Sequence, residues 1–312
     1  MLKYVLKRLG YILVTLWVIV TCTFFMMKNL PGTPIDAERF SIMTPQQQER
    51  VLEMYGLNDS LPMQYVKYIK NMLKGDLGTS FTYVNQDVSK VITGRLGPSA
   101  LIGIQAVLIG LAIGLILGIL AAWKHNSGID YFTMILAVLG VSVPNFVAAA
   151  LLQYYIGLKW GALPVGFWTG WNCSVLPSIA LSFSATAMVA RFMRTEMLDV
   201  LDQDYIVTAR AKGLSQMKVL MRHAVRNSIL PVVTILGPIV VNLMTGSLAV
   251  ENIFSIPGIG SLFVDCIKAN DYPVIMGITI FYAAFYMLIV LLVDLAYSLI
   301  DPRIRLAKGK ES

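Results

Sequence analysis

From Leu9 to Met27 the chain runs 19 residues without a charged side chain. A helix of that length crosses a hydrocarbon core about 30 Å thick, where backbone donors and acceptors must be satisfied within the protein. Lys3, Lys7 and Arg8 precede the run, and it ends in Met-Met-Lys-Asn-Leu-Pro rather than in a small-residue cleavage site. It therefore reads as a retained first span, not a secretory signal. Five more apolar stretches follow: Pro98 to Trp123, Tyr131 to about Leu158, Val175 to Met193, Pro231 to Val250 and Pro273 to Ile300. Hydrophobic residues make up 56% of the 312, charged residues 14%, and the mean hydropathy is +0.68, beyond the range of an ordinary soluble domain. The sequence predicts an all-α integral membrane protein with six transmembrane helices.

Three parts are expected: residues 1–27 as N-terminus and first span, 28–97 as an extracytoplasmic insertion after it, and 98–312 as the core. The insertion carries Pro31, Pro34, Pro45 and Pro62, nearly balanced charge, and helix-like stretches near Pro45 to Tyr55 and Pro62 to Leu73. In the second span Gly103, Gly110, Gly114 and Gly118 include two consecutive GxxxG steps on one face. That pattern suits close helix packing, or simply the Gly-richness of membrane helices, and leaves open which chain supplies the partner. Pro144 beside Asn145 bends the third span. Trp160, Trp168 and Trp171 suit an outer membrane interface. The fifth span contains Gly237-Pro238 and then Asn242, Thr245 and Ser247, polar residues that face protein or a water-filled path. Asp294 in the sixth span is expected to pair with Arg191 or cap a neighbouring backbone, a structural role preferred over ion transport.

Orientation follows from Lys and Arg. With both termini inside, Lys3, Lys7 and Arg8, then Lys124, then seven cations from Arg191 to Arg226, and finally Arg303, Arg305, Lys308 and Lys310 are cytoplasmic. The two short outer loops hold only Lys159 and Lys268. The long polar stretch Thr195 to Pro231 is then a cytoplasmic loop. Gly213 divides it into two helix-compatible pieces, Gln203 to Lys212 and Ser215 to Ser228. In the second, Met217, Leu220, Met221, Ala224 and Val225 recur at helical spacing, with Lys218, Arg222 and Arg226 on another face. Taken alone, this is a basic membrane-surface helix.

Catalytic and cofactor motifs are missing from the sequence. GxxxxGK[ST], GxSxG and HExxH do not occur. Cys22, Cys173 and Cys266 form no CxxC and are remote in sequence from His125 and His223, so neither a metal site nor a redox pair is expected, and a Cys173–Cys266 disulfide is not favoured. The net charge of +7 reflects loop bias rather than nucleic-acid binding. Few ionisable residues lie within the spans, mainly Arg191, Glu251 and Asp294 near their ends, so energy for any transport should come from outside this chain.

Asp204-Tyr205-Ile206-Val207-Thr208-Ala209-Arg210-Ala211-Lys212-Gly213, followed by Arg222-His223, Arg226-Asn227 and Pro231, resembles the cytoplasmic loop of binding-protein-dependent ABC importer permeases of the dipeptide/oligopeptide branch. Pro31-Gly32-Thr33-Pro34, Lys74-Gly75-Asp76-Leu77-Gly78, Glu251 to Gly260, Asp271-Tyr272-Pro273 and Asp301 to Arg305 are similar to the same family, and the outer insertion is similar to its B-type, first, permease subunit. The resemblance implies an ABC type I importer permease fold in a bacterial-type cell membrane, multi-pass, with a coupling loop over 195–231. It implies no catalytic residue and no bound cofactor in this chain. ATP and Mg would be used by two cytoplasmic ATPase partners, beside a second homologous permease and an extracytoplasmic peptide-binding protein in a lipid membrane.

The ATPase-coupling residues it implies are Asp204, Tyr205, Ile206, Thr208, Ala209, Arg210, Lys212, Gly213 and Leu214, with Tyr205, Ile206, Ala209 and Leu214 packing and Arg210 and Lys212 as polar rim. Where the broader family has an acidic residue and two small ones, this chain has Val207, Thr208 and Ala209, so Asp202 or Asp204 is left to supply the charge. Asn145, Asn242 and Thr245 are the candidates for the translocation path. The rival readings are a nickel or metal-chelate importer permease on the same fold, an ion-coupled secondary transporter, and a membrane receptor or scaffold.

Overall fold

The computed structural model describes residues 2–29, 42–54, 58–83, 86–245 and 247–300. The motifs Pro31 to Pro34 and Asp301 to Arg305, the last four Lys and Arg, and the Asp294 side chain lie outside the described residues. In order the helices are α1 (Leu2–Lys28), α2 (Pro45–Met54), α3 (Leu61–Leu73), α4 (Val88–Trp123), α5 (Gly128–Ser142), α6 (Asn145–Leu152), α7 (Val175–Leu201), α8 (Asp204–Ala211), α9 (Gln216–Lys218), α10 (Arg226–Met244), α11 (Leu248–Ile253), α12 (Ile259–Lys268) and α13 (Tyr272–Ile300). A π-helical segment, Gln153–Lys159, continues α6, and another, Val219–Val225, joins α9 to α10. Among the described residues five helical stretches are long and apolar enough to cross a membrane, and α5 with α6, bent by 100° at their break, supplies a sixth when counted as one span. The fold is all-α and membrane-spanning.

Several helix ends differ from the sequence reading, for local reasons. Pro98 and Pro231, expected to open the second and fifth spans, both lie inside helices, α4 having begun at Val88 and the fifth at Gln216. A proline in mid-helix removes one donor, and flanking turns carry the helix through where packing holds them. α7 runs on to Leu201, eight residues past the expected end at Met193, because Met193 and Met197 are both fully buried and extend its packed face. The fifth span ends at Met244, and Leu248–Ile253 forms the separate α11. Pro144 breaks the third span, as expected.

Two compact units make up the chain: Met1–Gly97 with Gly258–Phe285, and Pro98–Pro257 with Tyr286–Ser312. In the first, α3 lies on the end of α1. Thr21 Oγ1 and Tyr65 OH are 2.7 Å apart, and Phe24, buried, meets the Tyr65 and Tyr68 rings at 5.3 and 5.8 Å. Val88, Ile92, Ile259, Leu262, Ile275 and Ile278 form this unit's apolar centre. Asp271, fully buried, accepts from the Ser80 hydroxyl and from the N–H groups of Phe81 at 3.2 Å, Thr82 at 3.0 Å and Val274 at 3.4 Å, tying the loop before α4 to the start of α13. All three cysteines are free thiols, and burial pushes that of Cys266 up to about 12.

In the second unit α7 is the hub. Of its most apolar stretch 67% is buried, against 11% for α1, so α7 is enclosed by protein while α1 is left for lipid or another subunit. Its partner is α4. A Cβ on Gly110 would come 2.7 Å from the Ala185 Cβ, one on Gly114 2.7 Å from the Val189 Cβ, and one on Gly118 2.6 Å from the Ala190 carbonyl oxygen. Gly110, Gly114 and Gly118 thus pack on this chain's own α7, and Gly103 on the end of α10, where its Cβ would come 2.7 Å from the Leu243 carbonyl oxygen, so partners within this chain answer the question the sequence left open. α5 and α6 also pack on α7, and Gln153 Nε2 donates to the Val165 and Ile253 carbonyls at 2.5 and 2.7 Å, fixing the far end of the bent pair beside α11.

Candidate functional site

The polar stretch after α7 folds as a helix, a sharp turn and a second helix. Gln203 is extended and Asp204 opens α8. At the other end the Gly213 N–H donates to the Arg210 carbonyl at 2.9 Å and the Leu214 N–H to the Ala209 carbonyl at 3.4 Å. This closes the helix in a left-handed cap at φ +77°, which a side chain at Gly213 would strain. Ser215, extended, then opens α9 and the long rod into α10. The chain therefore carries an eight-residue helix between two membrane helices, closed by a left-handed glycine turn.

Burial divides the candidate coupling residues. Ile206 is fully buried and Ala209 nearly so, packed with Val219, Val200 and Leu201. They fasten α8 to its own flanking helices. Tyr205 is 42% and Leu214 37% exposed, and Asp204, Thr208, Arg210, Lys212 and Gly213 are also on the surface. The Tyr205 hydroxyl accepts from Asn227 Nδ2 at 3.2 Å, and the Thr208 hydroxyl donates back to the Asp204 carbonyl at 3.0 Å. Sequence reasoning passed over the apolar part of this surface: Val207 is 59% exposed and Met217 and Met221 are about half exposed. An exposed Val or Met beside Tyr and Arg has the composition of a docking face. The signal was present in the i, i+3 phase of Ile206 and Ala209, which puts Val207 on the opposite side of the helix.

A second cluster was not foreseen. Asp130, 2% exposed in the first turn of α5, receives Arg194 Nε on Oδ1 at 2.6 Å and Arg194 Nη2 on Oδ2 at 2.8 Å. The Asn126 N–H donates to Oδ2 at 3.0 Å, and His125 Nδ1 lies 3.1 Å from that oxygen and 3.2 Å from Arg194 Nη2. The forked pair is the strongest geometry available to these side chains. In the sequence Arg194 counts only as a cytoplasmic cation. Arg191 is exposed.

The candidate path residues are separate features. Asn145 opens α6 just after the bend and is half-buried; Asn242 is exposed on α10; Thr245, at its end, donates its hydroxyl to the Val241 carbonyl at 3.0 Å. Beside the bend an apolar groove of about 400 Å³ is lined by residues including Leu136, Val143, Leu151, Phe183 and Ala187. Among the described residues there is no group of three His, Cys, Asp or Glu able to hold a metal ion.

Residues 114–306 match the family described as binding-protein-dependent transport system inner membrane component, and residues 1–96 match the N-terminal family of such membrane components. The chain belongs to this family. The inner membrane component is 46% identical, over 98% of its own length and 100% of the relative's, to the dipeptide transport system permease protein DppB of Lactococcus lactis subsp. cremoris. It is 43% identical to DppB of Bacillus subtilis over 99% of each chain, and 39% identical to the oligopeptide transport system permease protein OppB of Salmonella typhimurium over 98% and 100%. Two solved structures share the fold. One is an amino acid ABC transporter chain, at TM-score 0.51 and 19% identity over 69% of this component and 94% of that chain; the other is the inward-facing MetNI methionine ABC transporter, at 0.56 and 13% over 68% and 96%. The family match over 114–306 takes in α8, its Gly213 turn and the bent pair of the inner membrane component.

Proposed function

We propose that this inner membrane component is one of two membrane subunits of an ATP-driven importer of short peptides, coupled to its ATPases through α8. The observation that carries the reading is α8 itself. It is fastened from behind by Ile206 and Ala209 and presents Tyr205, Val207, Arg210, Lys212 and Leu214 outward. A short helix held this way moves as a rigid body with the ends of α7 and α9, so force applied by an ATPase reaches the membrane helices. Peptide cargo is supported by full-length relatives named as dipeptide and oligopeptide permeases. The cytoplasmic placement of α8 and of both termini is supported by the Lys and Arg bias.

In this reading the chain catalyses nothing. Two ATPase partners use ATP and Mg, a second permease supplies the other half of the path, and an extracytoplasmic binding protein delivers peptide. Asn145, Asn242 and Thr245 line the path on this side.

The test is co-purification with co-expressed ATPase, permease and binding-protein partners, followed by ATP hydrolysis in lipid with and without peptide. Wild-type protein should show peptide-stimulated hydrolysis. Gly213→Pro, which demands φ near −65° where the chain holds +77°, should remove the stimulation while the chain still inserts. A chain that purifies alone and moves solute down an ion gradient would overturn the importer reading. Stimulation by nickel chelates but not by peptides would overturn the cargo.

A further inference from the structure

The Asp130–Arg194 pair joins two elements of different function. Arg194 lies in α7 about two turns before the helix ends and α8 begins. Asp130 lies in the first turn of α5, the leading arm of the pair bent by 100° at Pro144. Further along, Gly140 of α5 packs on Phe183 and Ala187 of α7, a contact with no directional bond; the pair is a fixed point beside it. Both carboxylate oxygens are engaged by one guanidinium, at 2.6 and 2.8 Å, so a displacement of one backbone against the other here must be taken up by the Arg194 side chain or break both bonds together. The carboxylate is also fastened within its own segment, by the Asn126 N–H at 3.0 Å, so Arg194 is tied to the turn before α5 as well as to the helix. The α4–α5 turn and the last third of α7 are thus held together about two turns before α7 passes into α8.

We propose that Asp130 and Arg194 are positioning residues for transport, a rigid tie that makes the bent α5–α6 span follow α8 when the ATPases move it. The inference rests on the coupling role proposed for α8. Tyr205, Val207 and Leu214 would receive the displacement, the Arg194–Asp130 fork would carry it from the α7 end to α5, and the bend at Pro144 would convert it into movement of α6.

The experiment compares wild type with Asp130→Asn and with Asp130→Asn/Arg194→Met in the reconstituted complex. The double variant leaves no unpaired buried cation and keeps an acceptor for the Asn126 N–H, so it separates the tie from simple folding. Expected are unchanged assembly with the ATPases and unchanged basal hydrolysis. Peptide-stimulated hydrolysis and peptide uptake should fall about tenfold in maximal rate, at unaltered half-saturation by binding protein, in both variants. Asp130→Glu, which retains the charge, should recover part of the rate. Stimulation of the double variant within about twofold of wild type would overturn the tie, as would its failure to assemble, which would show a purely structural role.

If wild type itself shows no stimulation by peptide, the importer reading fails, and the tie is judged separately by amide exchange on the purified chain. Residues 128–135 should then exchange about tenfold faster in the double variant, with residues 204–211 unchanged. Unchanged exchange at 128–135 would overturn it.

Discussion

Asp271 shows how much one buried carboxylate can organise. It is fully buried and accepts from the Ser80 hydroxyl and three backbone N–H groups, on two segments about 190 residues apart. Charged acceptors contribute more than neutral ones, and removing this one strands several donors together. Asp271→Ala should destabilise the first unit by about 3 kcal/mol, read as a lower midpoint of denaturant unfolding in micelles and faster proteolysis around residues 76–87. A shift no greater than that of an exposed control, such as Asp87→Ala, would contradict this account. Glu251 has a comparable position in the second unit, 2% exposed and accepting from the Ser99 hydroxyl at 2.7 Å. Both acids are visible in the sequence as parts of short motifs. Their partners are not, because nothing local in Asp-Tyr-Pro or Glu-Asn-Ile names a serine far along the chain.

At the scale of elements, the α4–α7 contact sets the tightest constraint. Added atoms at Gly114 would overlap both the Val189 side chain and, at 2.8 Å, the Thr186 carbonyl oxygen, so the helices would have to part. Gly114→Leu should cost about 3 kcal/mol or more and lower the thermal midpoint of the detergent-solubilised chain. Gly94, also in α4 but with nothing within 4 Å of its would-be Cβ, supplies the control. Gly94→Ala should be neutral or stabilising by up to about 1 kcal/mol, since alanine is the better helix former. Equal effects at the two positions would mean that the glycines act through helix propensity and not through close approach. The spacing of these glycines is legible in the sequence. Helix lengths are less so, because Pro98 and Pro231 are strong local boundary signals that tertiary packing overrides, and because burial of Met197 carries α7 two turns further than its apolar run.

For the molecule as a whole, the proposed coupling role makes the exposed face of α8 the surface to test. Val207 is exposed and stands where the resemblance expects an acidic residue, so docking here should rest on shape and apolar area with a basic rim from Arg210 and Lys212. Val207→Arg should leave insertion and the Ile206–Val219 packing intact. It should weaken ATPase co-purification by roughly tenfold or more, the effect of about 1.4 kcal/mol or more at an interface centre. Unaltered co-purification would move the docking face toward Met217 and Met221.

The sequence alone determined that this is an all-α membrane protein, that one basic loop projects from it, and that the third span is broken, because uncharged length, charge bias and proline chemistry act locally. It also carried the family resemblance, since Asp204 to Gly213 and the other motifs are contiguous strings. Only the tertiary structure decided that Gly110, Gly114 and Gly118 of α4 pack on α7, that Ile206 and Ala209 face inward while Val207 faces out, and that Asp130 meets Arg194. Each of these depends on which helix lies beside which and at what rotation, and residues distant in the chain acquire such neighbours only when the helices assemble.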